Sequence, residues 1–266
     1  MSFLKWKPDI DKVSINVILL LEKIQLEMLP HYERKRPELA AVFHAYPYLA
    51  WFVRNKAPKM NSWLDELLSE FPTASIELKS AEQEIIYKLE DWITYVTSPS
   101  NYDNLPFMEW DEEELTGITD FSGKIVIDVG SGTGKQALAA AGTAKCVYCV
   151  EPIENLRSYI REKAQKQGLN NVYTVDGLIN TIPFHDGFAD IAMCGHVSGS
   201  SIENDIAELE RVLKPGGMII FCPGEVDRDT ERHKYLIEHG FEYSRFLEPG
   251  DSPASGWKRK YWKIKG

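Results

Sequence analysis

Cysteine is scarce in this chain. The four among 266 residues are too few for a disulfide framework and read as free thiols of a reducing compartment. Two of them, Cys146 and Cys149, form a CxxC. The surrounding Lys-Cys-Val-Tyr-Cys-Val-Glu is patterned as a buried strand, where residues three apart point to opposite faces. With no second CxxC and no histidine close by, no metal site is expected. Long apolar runs are also missing. The stretch Val13 to Leu21 is interrupted by Ser14 and Asn16 and ends at Glu22, whereas a membrane helix needs about 20 apolar residues. Asp9 and Asp11 stand where a signal peptide is uncharged. The expectation is a cytoplasmic chain with no membrane insertion. Positive charge is short as well, with 30 Lys and Arg against 40 Asp and Glu, net −10. That balance argues against sequence-independent binding of nucleic acid, which runs on clustered cations. Residues 1–120 hold 12 basic and 21 acidic side chains, so the acidity belongs to the front half. At the C-terminus Lys258, Arg259, Lys260, Lys263 and Lys265 alternate with Trp257, Tyr261, Trp262 and Ile264, the pattern of an edge strand guarded by lysines.

What is present divides in two. Up to about residue 120 the apolar spacing is helical. Val13 to Met28 carries one stripe, Pro37 opens a helix that includes Leu39 to Arg54, and Asn61 or Ser62 caps Trp63 to Phe71. Ser80 with Gln83 three residues on forms a capping-box pattern ahead of Ile85, Leu89, Ile93 and Val96. A connector rich in Ser, Pro and Asn follows, and the acidic run Asp111 to Glu114 suits the first turn of a short helix. We place the boundary at 115/116, giving a helical domain over 1–115 and an α/β domain over 116–266. In the second part short β-branched runs alternate with amphipathic helices, which signals a parallel sheet covered on both faces. Strands are expected at 124–129, 145–150, 171–175, 188–194, 218–222, 242–247 and 257–264. The last two are joined by Glu248-Pro-Gly-Asp-Ser-Pro, too short for a helix, so they must be antiparallel.

The chemistry collects where strands end. Lys124 to Val129 runs into Gly130-Ser131-Gly132-Thr133-Gly134 and then a helix. Glycines at such a turn let a ligand approach where a Cβ would stand. The register is GxGxG with Asp128 two residues ahead, not the dinucleotide GxGxxG, because position 135 is Lys. Glu151, followed by Pro152, ends the second strand 17 residues after Gly134. A carboxylate there can accept from both hydroxyls of a ribose. The third strand ends at Asp176-Gly177 and the fourth at Cys194-Gly195-His196.

Residues 121 to about 222 resemble the class I S-adenosylmethionine-dependent methyltransferases, particularly the ubiquinone and menaquinone biosynthesis branch. The resemblance rests on VIDVGSGTGK, VEP, TIPFHDGFADIAMCGHV and ELERVLKPGGMIIF, and the terminal hairpin extends it in architecture. It implies a seven-stranded, doubly wound, mostly parallel Rossmann-like sheet with an antiparallel C-terminal strand. It implies S-adenosylmethionine as cofactor and S-adenosylhomocysteine as product. Gly130, Gly132 and Gly134, with Ser131 and Thr133, would line the methionine part, and Asp128 would lie near its amino group. Glu151 and Pro152 would hold the ribose. The adenine contact falls among Asp176, Gly177 and Leu178, and Cys194 completes the set.

Methyl transfer from a sulfonium asks the protein mainly to position the acceptor and exclude water. Where the acceptor is a hydroxyl, its proton needs a base, and His196 is the one candidate at this edge, the other reading being a loop histidine that only hydrogen-bonds backbone; His185 reads as a surface turn. The Asp/Asn-Pro-Pro-Tyr/Phe run that the resemblance would imply for methylation of nucleic-acid base amines does not follow the fourth strand, which weighs further against nucleic acid. The front half, with Trp6, Trp51, Trp63, Trp92 and Trp110, has aromatic area enough to roof a small-molecule acceptor, and the same aromatics at helical spacing equally suit the core of a domain that only packs. Two other classes compete: a catalytically silent cofactor-binding module acting through its helical half, and a nicotinamide-dependent oxidoreductase, against which the glycine register speaks. The sequence carries no signal for an oligomeric state.

Overall fold

The computed structural model describes residues 12–72, 76–197, 199, 201–248 and 256–266. The chain forms two compact units, residues 1–102 and 103–266. Trp6, Asp9 and Asp11 and most of the loop after Glu248 lie outside the described residues.

The first unit is helical, but its helices are shorter than the apolar stripes suggest. Val13 to Met28 is not one helix. A 3-10 segment, Ile15–Leu20, precedes α1 (Lys23–Glu27), consistent with β-branched Ile15, Val17 and Ile18 losing side-chain freedom in an α-helix. The stripe from Leu39 to Arg54 is split at Tyr46 into α2 (Arg36–Ala45) and α3 (Pro47–Lys56). Pro47 has no N–H to continue the ladder and pushes Tyr46 out of helical geometry. After α4 (Asn61–Glu70), the third stripe divides at Leu89 into α5 (Leu78–Lys88) and α6 (Glu90–Thr97). The start of α5 is capped by Glu77, which accepts from the N–H groups of Lys79 and Ser80, so Ser80 is not the cap. The apolar faces still converge, with Leu26, Leu39, Phe43, Val53, Leu64, Leu67, Ile85 and Ile93 buried.

After α7 (Pro99–Asp103) and α8 (Glu113–Thr116) comes the sheet. Its strands are β1 (Ile125–Val129), β2 (Cys146–Val150), β3 (Val172–Val175), β4 (Ala189–Cys194), β5 (Leu213–Phe221), β6 (Glu242–Leu247) and β7 (Trp257–Ile264). Their order is β3-β2-β1-β4-β5-β7-β6. All pairs are parallel except those of β7, which runs antiparallel to both β5 and β6. This is the seven-stranded, mostly parallel sheet expected, with its switch point between β1 and β4. Two local readings change. β7 is not an edge strand: it lies between β5 and β6, and its cations are paired rather than displayed, Lys260 with Glu114 and Lys263 with Glu210. Leu213 to Gly217 is not only a turn, because it forms the irregular start of β5.

The remaining helices are α9 (Lys135–Ala141), α10 (Glu154–Lys166), α11 (Ile202–Val212) and α12 (Glu231–Glu238). On one face Ala137, Ala140 and Ile160 pack with Val126, Val147, Cys149 and Met193; on the other Leu209, Val212 and Leu236 pack with Ile127, Ala192, Ile219 and Tyr261. Cys149 is buried and Cys146 half-buried, both as free thiols. Among the described residues no cluster of His, Cys, Asp and Glu could hold a metal, and no helix is long and apolar enough to cross a membrane.

Candidate cofactor and acceptor site

The parallel strands deliver their carboxyl ends, and the residues that follow, to one edge. Beyond β1, Gly130 and Gly132 both have positive φ, +65° and +54°, a region that L side chains rarely adopt. Their surroundings differ. A Cβ on Gly130 would stand 2.0 Å from Cγ2 of Val197, so its bareness serves packing. A Cβ on Gly132 would meet nothing within 4 Å. Gly132 is therefore the point of the loop where backbone faces open space. Gly134 immediately precedes α9, and its N–H donates to the carbonyl of Ser131, whose hydroxyl donates to the carbonyl of Asp128.

Two carboxylates lie beside this opening. Glu151 is buried at 4% exposure, and its oxygens accept from the N–H groups of Gly132 and Ile153, each at 3.0 Å. Burial pushes its carboxyl up to about 7 against the opposing pull of those two N–H groups. Asp128, at 1% exposure, has no hydrogen-bond partner for either carboxylate oxygen among the described residues. Burial raises it to about 7 as well and the Glu151 charge adds to the effect, while the nearby Ser131 side chain and Ala137 N–H, too poorly aligned to count as full hydrogen bonds, pull the other way. A buried carboxylate short of well-aligned donors is costly, and Glu151 still has lone pairs beyond its two N–H bonds, so this pair has acceptor capacity that a ligand bearing N–H or O–H groups can use.

Asp176 stands apart from them. Its side chain is largely exposed and pairs with Arg157, which also donates to the Glu151 carbonyl. Gly177 is a packing position, since a Cβ there would lie 2.8 Å from Pro183 and Val150. Leu178 is bridged to Thr181. Thr133 and Cys194 are buried, and burial pushes the Cys194 thiol well up; Pro152 is half-buried.

His196 follows β4 and lines a cavity of about 180 Å³ together with Gly195, Val197, Phe221, Gly224, Glu225, Arg232, Leu236 and Tyr261. Its Nε2 lies 3.8 Å from Oε1 of Glu248, a residue just past β6 that is 3% exposed and whose other oxygen pairs with Lys258 at 3.1 Å. Burial favours the neutral acid at Glu248, yet His196 and Lys258 hold its carboxyl below the usual range. Arg232 pairs with Glu225 and stacks on Phe221. Sequence reasoning found His196 but missed Glu248, Glu225 and Arg232. Glu248 had a signal, an acid at a strand end like Glu151. Arg232 and Glu225 had none, because only the sheet order brings α12 beside β4. His185 sits in an exposed turn, with Nδ1 2.7 Å from the Asp186 carbonyl.

Comparison with known proteins bears on the same segment. Residues 127–221 match the family described as a methyltransferase domain. The uncharacterized methyltransferase YcgJ of Bacillus subtilis is 26% identical over 141 residues, covering 51% of this chain and 54% of that protein. A probable cobalt-precorrin-6B C(15)-methyltransferase (decarboxylating) of Methanothermobacter thermautotrophicus is 29% identical over 119 residues, covering 44% and 62%. The chain thus spans little more than half the length of these curated relatives. In fold it is similar to a SAM-dependent methyltransferase from Aquifex aeolicus, with a TM-score of 0.50, 22% identity, and coverage of 64% of this chain and 98% of that one. Residues 127–221 are thus similar to a methyltransferase domain, and S-adenosylmethionine is the cofactor that the matches imply.

Proposed function

We propose that the whole chain transfers a methyl group from S-adenosylmethionine to a small organic acceptor. The observation that carries this reading is the open face of Gly132 beside two buried carboxylates with spare acceptor capacity. The donors of the cofactor fit that set. Asp128 would take its ammonium group. Glu151 would take the ribose hydroxyls on the lone pairs that Gly132 and Ile153 leave unused. Asp176 or its neighbours would meet the adenine. When bound, the cofactor supplies a methyl group on an already activated sulfonium, so the chain's own work is orientation and exclusion of water.

The acceptor would occupy the cavity between the ends of β4 and β5, and His196, which lines it, would be the base for a hydroxyl acceptor. Glu248 supports that role. Its buried carboxylate, 3.8 Å from Nε2, would orient the imidazole at the cavity wall. Within the class, the Ile-Pro-Phe and Arg-Val-Leu-Lys-Pro-Gly-Gly stretches favour the ubiquinone and menaquinone biosynthesis branch. A silent cofactor-binding module has less support, since it gives no reason for a carboxylate-backed histidine in the cavity.

Incubation with methyl-labelled S-adenosylmethionine and cell extract tests the reading. Label should enter the small-molecule fraction and be lost with His196→Ala if the acceptor is a hydroxyl. Label found only in protein or nucleic acid, or in nothing, contradicts it.

A further inference from the structure

The glycine loop is held from behind by a cluster that the cofactor reading does not use. Lys163, near the end of α10, donates from Nζ to the carbonyl of Thr133 at 3.0 Å and to Oδ2 of Asp103 at 2.6 Å. Tyr159, one turn earlier, donates its hydroxyl to the same Asp103 oxygen at 2.9 Å, and its ring lies 5.3 Å from the Lys163 ammonium. The side chains of Lys163 and Asp103 are only 20% and 23% exposed, so water screens the pair weakly. Burial, helped by Asp103, pushes the Tyr159 hydroxyl up to about 12, which keeps it protonated as the donor.

Docking α10 does not require this arrangement. Leu156, Ile160 and Ala164 already bury the helix's apolar stripe against the sheet. What the lysine adds is a charge-assisted hydrogen bond to one peptide of the loop. That peptide follows Gly132, whose bare Cα faces open space, and it precedes Gly134, whose N–H closes the turn onto Ser131 at 2.7 Å. Thr133 itself is buried at 1% exposure, and its hydroxyl has no partner among the described residues. The Lys163 bond therefore adds a charged anchor to a buried residue whose own hydroxyl supplies none.

We propose that Lys163 is a positioning residue for the cofactor. It fixes the Thr133 carbonyl so that the Gly132–Gly134 backbone keeps its open geometry before any ligand arrives, and Asp103 and Tyr159 hold the lysine in place. Pre-organised backbone of this kind lowers the cost of ordering a site on binding. The inference rests on the glycine loop being the cofactor site.

Calorimetric titration of the full chain with S-adenosylhomocysteine tests it. Lys163→Met keeps the aliphatic stem and removes the donors, and should raise Kd about tenfold, the effect of losing one charge-assisted hydrogen bond. Lys163→Arg, which can still reach both acceptors, should recover most of the affinity. Tyr159→Phe loses only the hydroxyl and should raise Kd about twofold to threefold; it decides the matter if Lys163→Met does not fold. Wild-type affinity in the folded variants, or no recovery by arginine, overturns the proposal while leaving the cofactor reading intact. Failure of the wild type to bind S-adenosylhomocysteine overturns both, and is a distinct result.

Discussion

Asp128 and Glu151 show how the site constrains the unliganded protein. Both carboxyls are raised to about 7 from ordinary values of 3.8 and 4.5 because they are buried. A folded-state value above the unfolded one means that the native state binds the extra proton. The stability this contributes is complete below about pH 4 and lost as pH rises to about 7. Asp128→Asn stays neutral throughout. Its stability relative to wild type, read from urea midpoints in the absence of ligand, should improve between pH 5 and pH 8, by on the order of 1–3 kcal/mol. A difference that does not change with pH would show that Asp128 is not charged at a cost. The sequence offered Asp128 and Glu151 as candidates, since a glycine register and an acid at a strand end are local patterns. It could not announce that Gly130 is bare to accommodate Val197 while Gly132 is bare toward open space, because that distinction depends on the loop after β4.

At the scale of elements, the connection from β3 to β4 carries no helix, and a single side chain substitutes for one. Arg211 near the end of α11 donates to the carbonyls of Ile182 and Phe184 and to Asp186, while its neighbour Glu208 accepts from the Ile182 N–H. The two sequence stretches around Ile182 and Arg211 are thus two sides of one clamp. Arg211→Met should destabilise the protein by about 2 kcal/mol, the cost of leaving partly buried carbonyls without donors, measured by thermal or urea unfolding. A loss below about 0.5 kcal/mol, the ordinary range for surface changes, would mean that the loop holds itself. Element types were legible from periodicity, strands best of all, because each β-branched run was bounded by turns. Helix limits in the first unit were not, since Pro47 and Leu89 interrupt stripes whose apolar spacing continues across the break. The antiparallel pair β6–β7 was legible from linker length alone, yet the place of β7 inside the sheet was not, because pairing with β5 is a long-range event.

For the molecule as a whole, charge and composition narrow the candidate functions and the sheet order gathers the candidate site. A net charge of −10 disfavours phosphate backbones as partners, and the strand order puts the glycine loop, Glu151 and the His196 cavity at the carboxyl ends of neighbouring strands. The central claim is that this edge binds S-adenosylmethionine and not a nicotinamide dinucleotide. It is tested most directly by calorimetric titration of the full chain with S-adenosylhomocysteine and with NAD, repeated on folded Gly132→Val. The account predicts micromolar binding of the first, about −8 kcal/mol, none of NAD, and loss of binding when the valine fills the open space at Gly132. Binding of NAD instead, or undiminished binding by Gly132→Val, would contradict it.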